Sequence, residues 1–170
     1  MARLAATDQS SRPHILVHLA AAILPVAATS VLGSLATIPN IPGWYAGLAK
    51  PPLTPPNGVF GPAWTVLYGL MAYAIWRVLR AEPGLRRTAA LRWLYVQLAL
   101  NALWSWLFFG LRNPLLGALD IVPLLACVLV AIAAVRRVDR LAAALLVPYA
   151  AWTTFATYLN LGIWWLNRGG

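Results

Sequence analysis

The sequence predicts an all-α integral membrane bundle of five transmembrane helices with a long ordered loop between helices 1 and 2. Three observations carry that expectation. The chain has 170 residues, 61% hydrophobic and only 10% charged, with a mean hydropathy of +0.72. A water-soluble domain carries roughly 25% charged residues, so this one is too apolar to be one. Five apolar runs each approach the roughly 20 residues that cross a bilayer core. The cations, finally, are distributed one-sidedly around those runs.

The runs lie at 15–36, 61–80, 91–111, 114–135 and 141–166, within a single membrane domain spanning 1–170. Their length and lack of alternation exclude strands, and a spanning backbone must satisfy its own hydrogen bonds, which leaves helices. The first run, His14 to Ala36, exceeds the roughly 7–15 apolar residues of a cleavable signal and reads as a retained helix. After it comes the loop 37–60. Seven of the thirteen prolines (Pro39, Pro42, Pro51, Pro52, Pro55, Pro56 and Pro62) fall in or beside it, and missing amide donors with fixed φ argue against a long regular helix there. It is expected to be an extended, ordered connection, and long ordered loops more often serve as lids or binding loops than as spacers. Pro25, Pro123 and Pro148 fall inside the first, fourth and fifth spans and are expected to kink them.

Charge placement tests the count of spans independently. With five crossings, Arg3, Arg12, Arg77, Arg80, Arg86, Arg87, Arg92, Arg136, Arg137 and Arg140 share one side, and Lys50, Arg112 and Arg168 the other. This bias predicts the N-terminus inside, with the C-terminus and the long first loop outside. The net charge of +9 sits at the ends of apolar runs and forms no surface stripe, so no nucleic-acid partner is expected. Arg86-Arg87 and Arg136-Arg137 read as topological anchors, with contact to anionic membrane lipid as the second use. Cys127 is the only cysteine and excludes an intramolecular disulfide. His14 and His18 have a metal-pair spacing but no third ligand, so no metal is predicted.

Three spans carry aromatic stripes. Trp64, Tyr68 and Met71 share one helical face; so do Asn101, Trp104 and Phe108, and so do Tyr149, Trp152, Ala156 and Asn160. Such stripes commonly just pack helices together. Three of them beneath a proline-rich loop favour a pocket for a bulky, mostly apolar ligand such as a tetrapyrrole or sterol. Asp120, inside the fourth span, is either functional or held by a structural hydrogen bond to Asn101, Gln97 or Arg112. Two permissive sterol patterns, Leu70-x-x-Tyr73-x-x-x-Arg77 and Arg92-x-x-Tyr95-x-x-Leu98, carry almost no weight. No nucleotide-binding glycine loop or nucleophile elbow occurs, and four acidic residues leave few candidates for acid/base catalysis.

The strings W-Y-A-G-L-A-K-P-P-L-T-P-P, F-G-P-A-W-T-V-L-Y, Q-L-A-L-N-A-L-W-S-W-L-F-F-G and V-P-Y-A-A-W-T-T-F-A-T-Y-L-N resemble, in order, those of the translocator protein family, also called tryptophan-rich sensory proteins or peripheral-type benzodiazepine receptors. The resemblance covers about residues 15–167. It implies a five-helix bundle, often dimeric, whose pocket opens toward the first loop and binds porphyrins, cholesterol and drug-like ligands. Matched by position, its ligand contacts fall on Tyr45, Trp64, Asn101, Trp104, Trp152, Phe155 and Ala156, and its acidic residue on Asp120. Two departures stand out. Tyr158 is followed by no cation until Arg168, which weakens sterol recognition and favours the microbial, porphyrin-handling branch. Leu53 stands where many members have Trp.

Together these readings predict a binding, transport or sensing protein for porphyrin of the protoporphyrin IX type, with a likeness to receptors and a role in tetrapyrrole handling or stress regulation. The expected ligand-binding residues are Tyr45, Lys50, Trp64, Tyr68, Asn101, Trp104, Phe108, Asp120, Tyr149, Trp152, Phe155 and Ala156. Lys50 is placed near the porphyrin carboxylates. The expected partners are that ligand, membrane lipid and a second copy of the chain, with no resident cofactor. The alternative is an enzyme that degrades porphyrin in light through Trp64 and Trp152.

Overall fold

The computed structural model describes the backbone of residues 8–169 and the side chains of residues 15–169. Arg3 and the side chains of Arg12 and His14 lie outside the described residues. The architecture is an all-α bundle. Its long helices are α1 (Asp8–Thr37), α2 (Phe60–Leu79), α3 (Leu85–Ser105), α4 (Pro114–Arg136) and α6 (Val147–Asn167), with the short α5 (Arg140–Leu145) leading into α6. α3 packs chiefly against α4 and α1, and α4 also against α6, so α3 and α4 form the middle of the bundle.

Periodicity decides which face is buried. On α2, Met71, Ala74, Ile75 and Val78 recur at i, i+3, i+4 and i+7, and all four are fully buried. They meet Leu94 and Leu98 of α3, Ile121, Leu124 and Val128 of α4, and Tyr149 of α6 in one core. The outward faces are apolar too: Leu16, Leu24, Val31 and Leu35 on α1 and Leu119, Val122 and Leu129 on α4 are all more than half exposed. Faces of this kind suit a hydrocarbon solvent rather than water.

Four segments are long and apolar enough to cross a membrane: Ile15–Tyr45, Asn57–Leu79, Pro114–Arg136 and Arg140–Asn167. α3 is not among them. Its first turns carry Arg86, Arg87 and Arg92, and its buried face carries Gln97, Asn101 and Ser105. These polar groups lower its hydropathy, and its position between α1, α2 and α4 shields several of them from any surrounding lipid.

The prolines act locally. Pro25 has no N–H for the carbonyl of Ala21, one turn back in α1; the Tyr95 hydroxyl donates to that carbonyl instead, at 3.1 Å. Pro148 splits the expected fifth helix, because it has no N–H for the carbonyl of Ala144 one turn back and its ring crowds that carbonyl. The break falls at Leu146, between α5 and α6. Pro114 opens α4 at a position where a missing N–H costs nothing, and the Asn113 side chain accepts from Leu115 N and Leu116 N, both at 3.1 Å.

The loop 37–60 differs from the extended connection expected of it. From Ile38 to Asn40 the chain winds as a tight 3₁₀ turn and from Ile41 to Tyr45 as a wide π turn, before Ala46 and Gly47 end the helical path. Pro39 and Pro42 each fall in the first turn of these pieces, where their missing N–H groups are harmless. Only the strap from about residue 48 to 56 leaves the helical path, and it is broken by a turn at Pro52 and Leu53. α3 likewise runs into a π turn, Trp106–Gly110.

At the arginine-rich end, Asp139 caps α5 by accepting from Ala142 N at 2.9 Å and pairs with Arg77 of α2 at 2.8 Å. Burial raises the Asp139 carboxyl, but the Ala142 amide and the Arg77 guanidinium outweigh it and hold the carboxyl below its ordinary value. A depressed folded-state value means stability that is complete above the unfolded value and lost as pH falls through the folded one. We expect Asp139→Asn to flatten the acid limb of a stability curve below about pH 4, where an unfolded aspartate titrates. Unchanged acid sensitivity in chemical denaturation of that variant would contradict the role.

Candidate functional site

The two π turns dock on one another. A π turn adds a residue to the helical ring. The one at Trp106–Gly110 lets neighbouring Phe108 and Phe109 both point inward, at 2% and 8% exposure. They receive Trp44 and Tyr45 from the other π turn, with ring centroids 5.5 Å apart for Trp44–Phe108 and for Tyr45–Phe109. This cluster closes the end of the bundle opposite the arginines.

Beneath it lies a cavity of about 490 Å³. One wall is aromatic. Trp64 and Tyr68 of α2 stack at 5.2 Å, and Trp104 stacks on Phe108 at 5.3 Å. Ala156, Leu159, Asn160 and Ile163 of α6 add a third side, and Ile38, Ile41, Tyr45, Asn57, Gly58 and Phe60 frame the mouth. The remaining wall is α1, which contributes Ser30, Gly33, Ser34 and Thr37. Ser30, Ser34 and Thr37 are spaced i, i+4 and i+7, one face of a helix. That periodic signal is present in the sequence, in a run whose length and hydropathy by themselves indicate only a retained helix.

Two polar nodes hold the aromatic wall in place. In the first, Tyr68 donates to Asn101 Oδ1 at 3.0 Å, and Asn101 Nδ2 donates to the Tyr149 hydroxyl at 3.1 Å. Trp64 lies edge-on to Tyr149 and Trp152, each at 6.3 Å. In the second, Trp104 Nε1 donates to Asn160 Oδ1 and Asn160 Nδ2 donates to the Pro114 carbonyl, both at 2.8 Å. Both amides are buried, and each Oδ1 and each Nδ2 has a polar partner.

Of the twelve expected ligand-binding residues, Tyr45, Trp64, Tyr68, Trp104, Phe108 and Ala156 line the cavity. Asn101, Tyr149 and Trp152 stand behind its wall and position Tyr68 and Trp64. Phe155 packs between Trp152 and Tyr158, away from the lining. Lys50 sits beyond the mouth: its Nζ donates to the Ala46 and Leu48 carbonyls at 3.2 and 3.0 Å and lies 4.8 Å from the centre of the Tyr45 ring. Asp120 is buried in α4 away from the cavity lining. The structural alternative, a hydrogen bond to Asn101, Gln97 or Arg112, does not form. Asn101 is committed to the two tyrosines, the Gln97 amide donates to Leu94 O, and Arg112 reaches Asn40 at 2.9 Å. Asp120 Oδ2 has no partner among the described residues.

The strap is anchored to α6 at three places. Asn167 pairs with the backbone of Ala49 in both directions, at 3.0 and 2.9 Å. Tyr158 donates to the Pro52 carbonyl at 2.9 Å. Pro51 lies directly on Gly162, where an added Cβ would come within 2.7 Å of the proline ring. Leu53, the expected substitute for an aromatic wall, points away: it is 81% exposed and holds a left-handed φ of 67°. It occupies the turn after Pro52, closed by Thr54 Oγ1 donating to Pro51 O at 2.7 Å.

Fold and site together define a multi-pass α-helical membrane protein with an aromatic-walled cavity at one end of the bundle. A sequence profile of the TspO/MBR family matches residues 21–166. The chain is 42% identical over 156 residues to the tryptophan-rich protein TspO of Archaeoglobus fulgidus, covering 89% of this chain and 98% of that one. It is 40% identical over 128 residues to the translocator protein of Homo sapiens, covering 74% and 76%. It is also 38% identical over 144 residues to the protein CrtK of Rhodobacter capsulatus, covering 84% and 89%. The chain belongs to the TspO/MBR family.

Proposed function

We propose that the chain is a receptor- or transporter-like membrane protein that binds a porphyrin of the protoporphyrin IX type in the cavity, with a role in tetrapyrrole transport, sensing or stress regulation. The observation that carries this reading is the cavity itself. Its volume of about 490 Å³ lies within the roughly 300–1,000 Å³ usual for small-molecule sites. Its flat rings on one side suit a planar macrocycle. The α1 hydroxyls on the other side offer hydrogen bonds to polar substituents. Lys50 has a third ammonium hydrogen to offer a carboxylate beyond the mouth. Sterols and drug-like apolar molecules are competing occupants of the same space.

The proposal includes a fifth crossing by α3, because a helix of 21 residues packed along α4 and α1 has the length to span with them. It also places the arginine-rich end inside, by the cation bias, and takes the family's dimeric habit as the state of this chain. Protoporphyrin IX should quench tryptophan fluorescence with saturation near one ligand per chain. Trp64→Ala removes half of the stacked pair and should weaken binding about tenfold, the order expected for a lost aromatic contact. Unchanged affinity in that variant would remove the site.

A second reading has support from one observation: Trp64 in the cavity wall is in edge contact with Trp152 behind it. In this reading the pair degrades bound porphyrin under light. The measurement is porphyrin consumed per chain under illumination, corrected for dark and free-solution rates. Failure to exceed one turnover, or full activity in Trp152→Phe, would sink it.

A further inference from the structure

At the end of the bundle opposite the cavity, α4 turns into α5 around a notch of about 380 Å³ lined by Ala133, Arg136, Arg137 and Arg140. The turn is tight. Val138 N and Asp139 N both donate to the Val135 carbonyl at 2.8 Å, which brings Arg140 back beside the last turn of α4. The one carboxylate within the turn, Asp139, is already engaged by Arg77 and by the α5 amide of Ala142. Three exposed arginines therefore line one concavity without a described carboxylate to neutralise them.

Below the arginines the same face of α4 is apolar. Val122, Leu129 and Val130 are exposed and, with Leu119, Ala126 and Ala133, follow the helical spacing that leads to Arg136 and Arg137. From Leu119 to Ala133 this stripe rises about 20 Å, longer than one leaflet of roughly 15 Å. Leu141 at the start of α5 is half exposed beside it. The juxtaposition is a cationic notch above an acyl-length apolar strip. Planar guanidinium forks match phosphate oxygens.

We propose that this notch is a binding site for an anionic membrane lipid, its phosphate held by Arg136, Arg137 and Arg140 and its chains lying along the Leu119–Ala133 face of α4. The inference rests on the membrane setting of the chain and is independent of the porphyrin reading. A phosphate held there would tie the α4–α5 turn to the membrane surface and fix the depth of α6, which continues from α5.

The test is retention of phosphatidylglycerol against phosphatidylcholine by the purified chain in neutral detergent, read by native mass spectrometry. The wild-type chain should keep phosphatidylglycerol selectively. The triple variant Arg136→Gln, Arg137→Gln, Arg140→Gln should weaken retention roughly 100-fold, following the usual contribution of each cation near an anionic surface, and the single variant Arg140→Gln about fivefold. Arg86→Gln with Arg87→Gln, near the same end but outside the notch, should retain lipid as the wild type does. Protoporphyrin quenching, read in parallel, should be unaltered in all of them. Equal loss in the Arg86 and Arg87 variant would reduce the effect to bulk charge and overturn the site, as would wild-type retention in the triple or single variant. Stabilisation of the wild-type chain by inorganic phosphate without selective retention of phosphatidylglycerol would assign the notch to a free anion and overturn the lipid.

Discussion

Gly117→Ala is expected to be among the most damaging single-methyl changes in this chain, lowering stability by about 1–3 kcal/mol, as overpacking of a tight core does. At this position α4 meets both α6 and the π turn that follows α3. A Cβ there would lie 2.8 Å from Asn160 Oδ1, 2.8 Å from Phe108 Cδ2 and 2.9 Å from Phe108 Cβ. Phe108 cannot yield easily, because Trp104 stacks on it and Trp44 meets its edge. Asn160 cannot yield without breaking its bonds to Trp104 and Pro114. Helix propensity works the other way, favouring alanine by up to about 1 kcal/mol, so the net loss measures how rigid the node is. Gly69→Ala on the exposed side of α2 is the control. Its Cβ would meet nothing within 4 Å, so propensity alone should leave it neutral or slightly more stable. Denaturant or thermal unfolding in detergent, with protoporphyrin affinity measured alongside, checks both. Equal stability of the two variants would mean that α4 can shift at no cost and that the Asn160 node is soft.

Gly117 also marks the limit of what the sequence discloses. The aromatic stripes on α2, α3 and α6 were legible because helical periodicity places i, i+4 and i+7 together, and all three converge in the bundle as Tyr68–Asn101–Tyr149 and Trp104–Asn160. A glycine gives no such signal, since its importance depends on what approaches it from other helices. The Ser30, Ser34 and Thr37 row was equally periodic. Three small hydroxyls in an apolar run are indistinguishable in sequence from ordinary packing residues. The proline segment misled in the other direction. Prolines forbid helix only where an amide is needed, and Pro39 and Pro42 fall in the first turns of short helical pieces. The break of the fifth span was readable at Pro148. The separation of Asp120 from the cavity was not, because a residue's position on its own helix does not say which neighbours that face will meet.

The second large effect is expected from Gly162→Val, and it should appear in ligand kinetics more than in global stability. The strap from residue 48 to 56 contributes nothing to the cavity lining, yet it joins Tyr45 on one side of the mouth to Asn57 on the other. Whatever fixes the strap therefore fixes the mouth. Its anchors to α6 are the Asn167–Ala49 pair, the Tyr158–Pro52 bond and the seat of Pro51 on bare backbone at Gly162. A side chain at 162 would begin 2.7 Å from Pro51 Cγ and 2.8 Å from its Cβ, and a proline ring has no rotamer by which to escape. The strap must lift, and the flanking Asn167 and Tyr158 bonds stretch or break with it. Because the strap is an exposed loop with few buried contacts, its release should cost little of the global unfolding free energy. Dissociation of protoporphyrin should accelerate about tenfold or more, with a smaller change in association, since opening a mouth acts chiefly on escape. Amide hydrogen exchange at Ala49 should quicken in parallel, reporting the lost bond to Asn167. Fast exchange at Ala49 with an unchanged ligand off-rate would show that the strap moves without governing the mouth, and the lid role would be lost while the cavity stood.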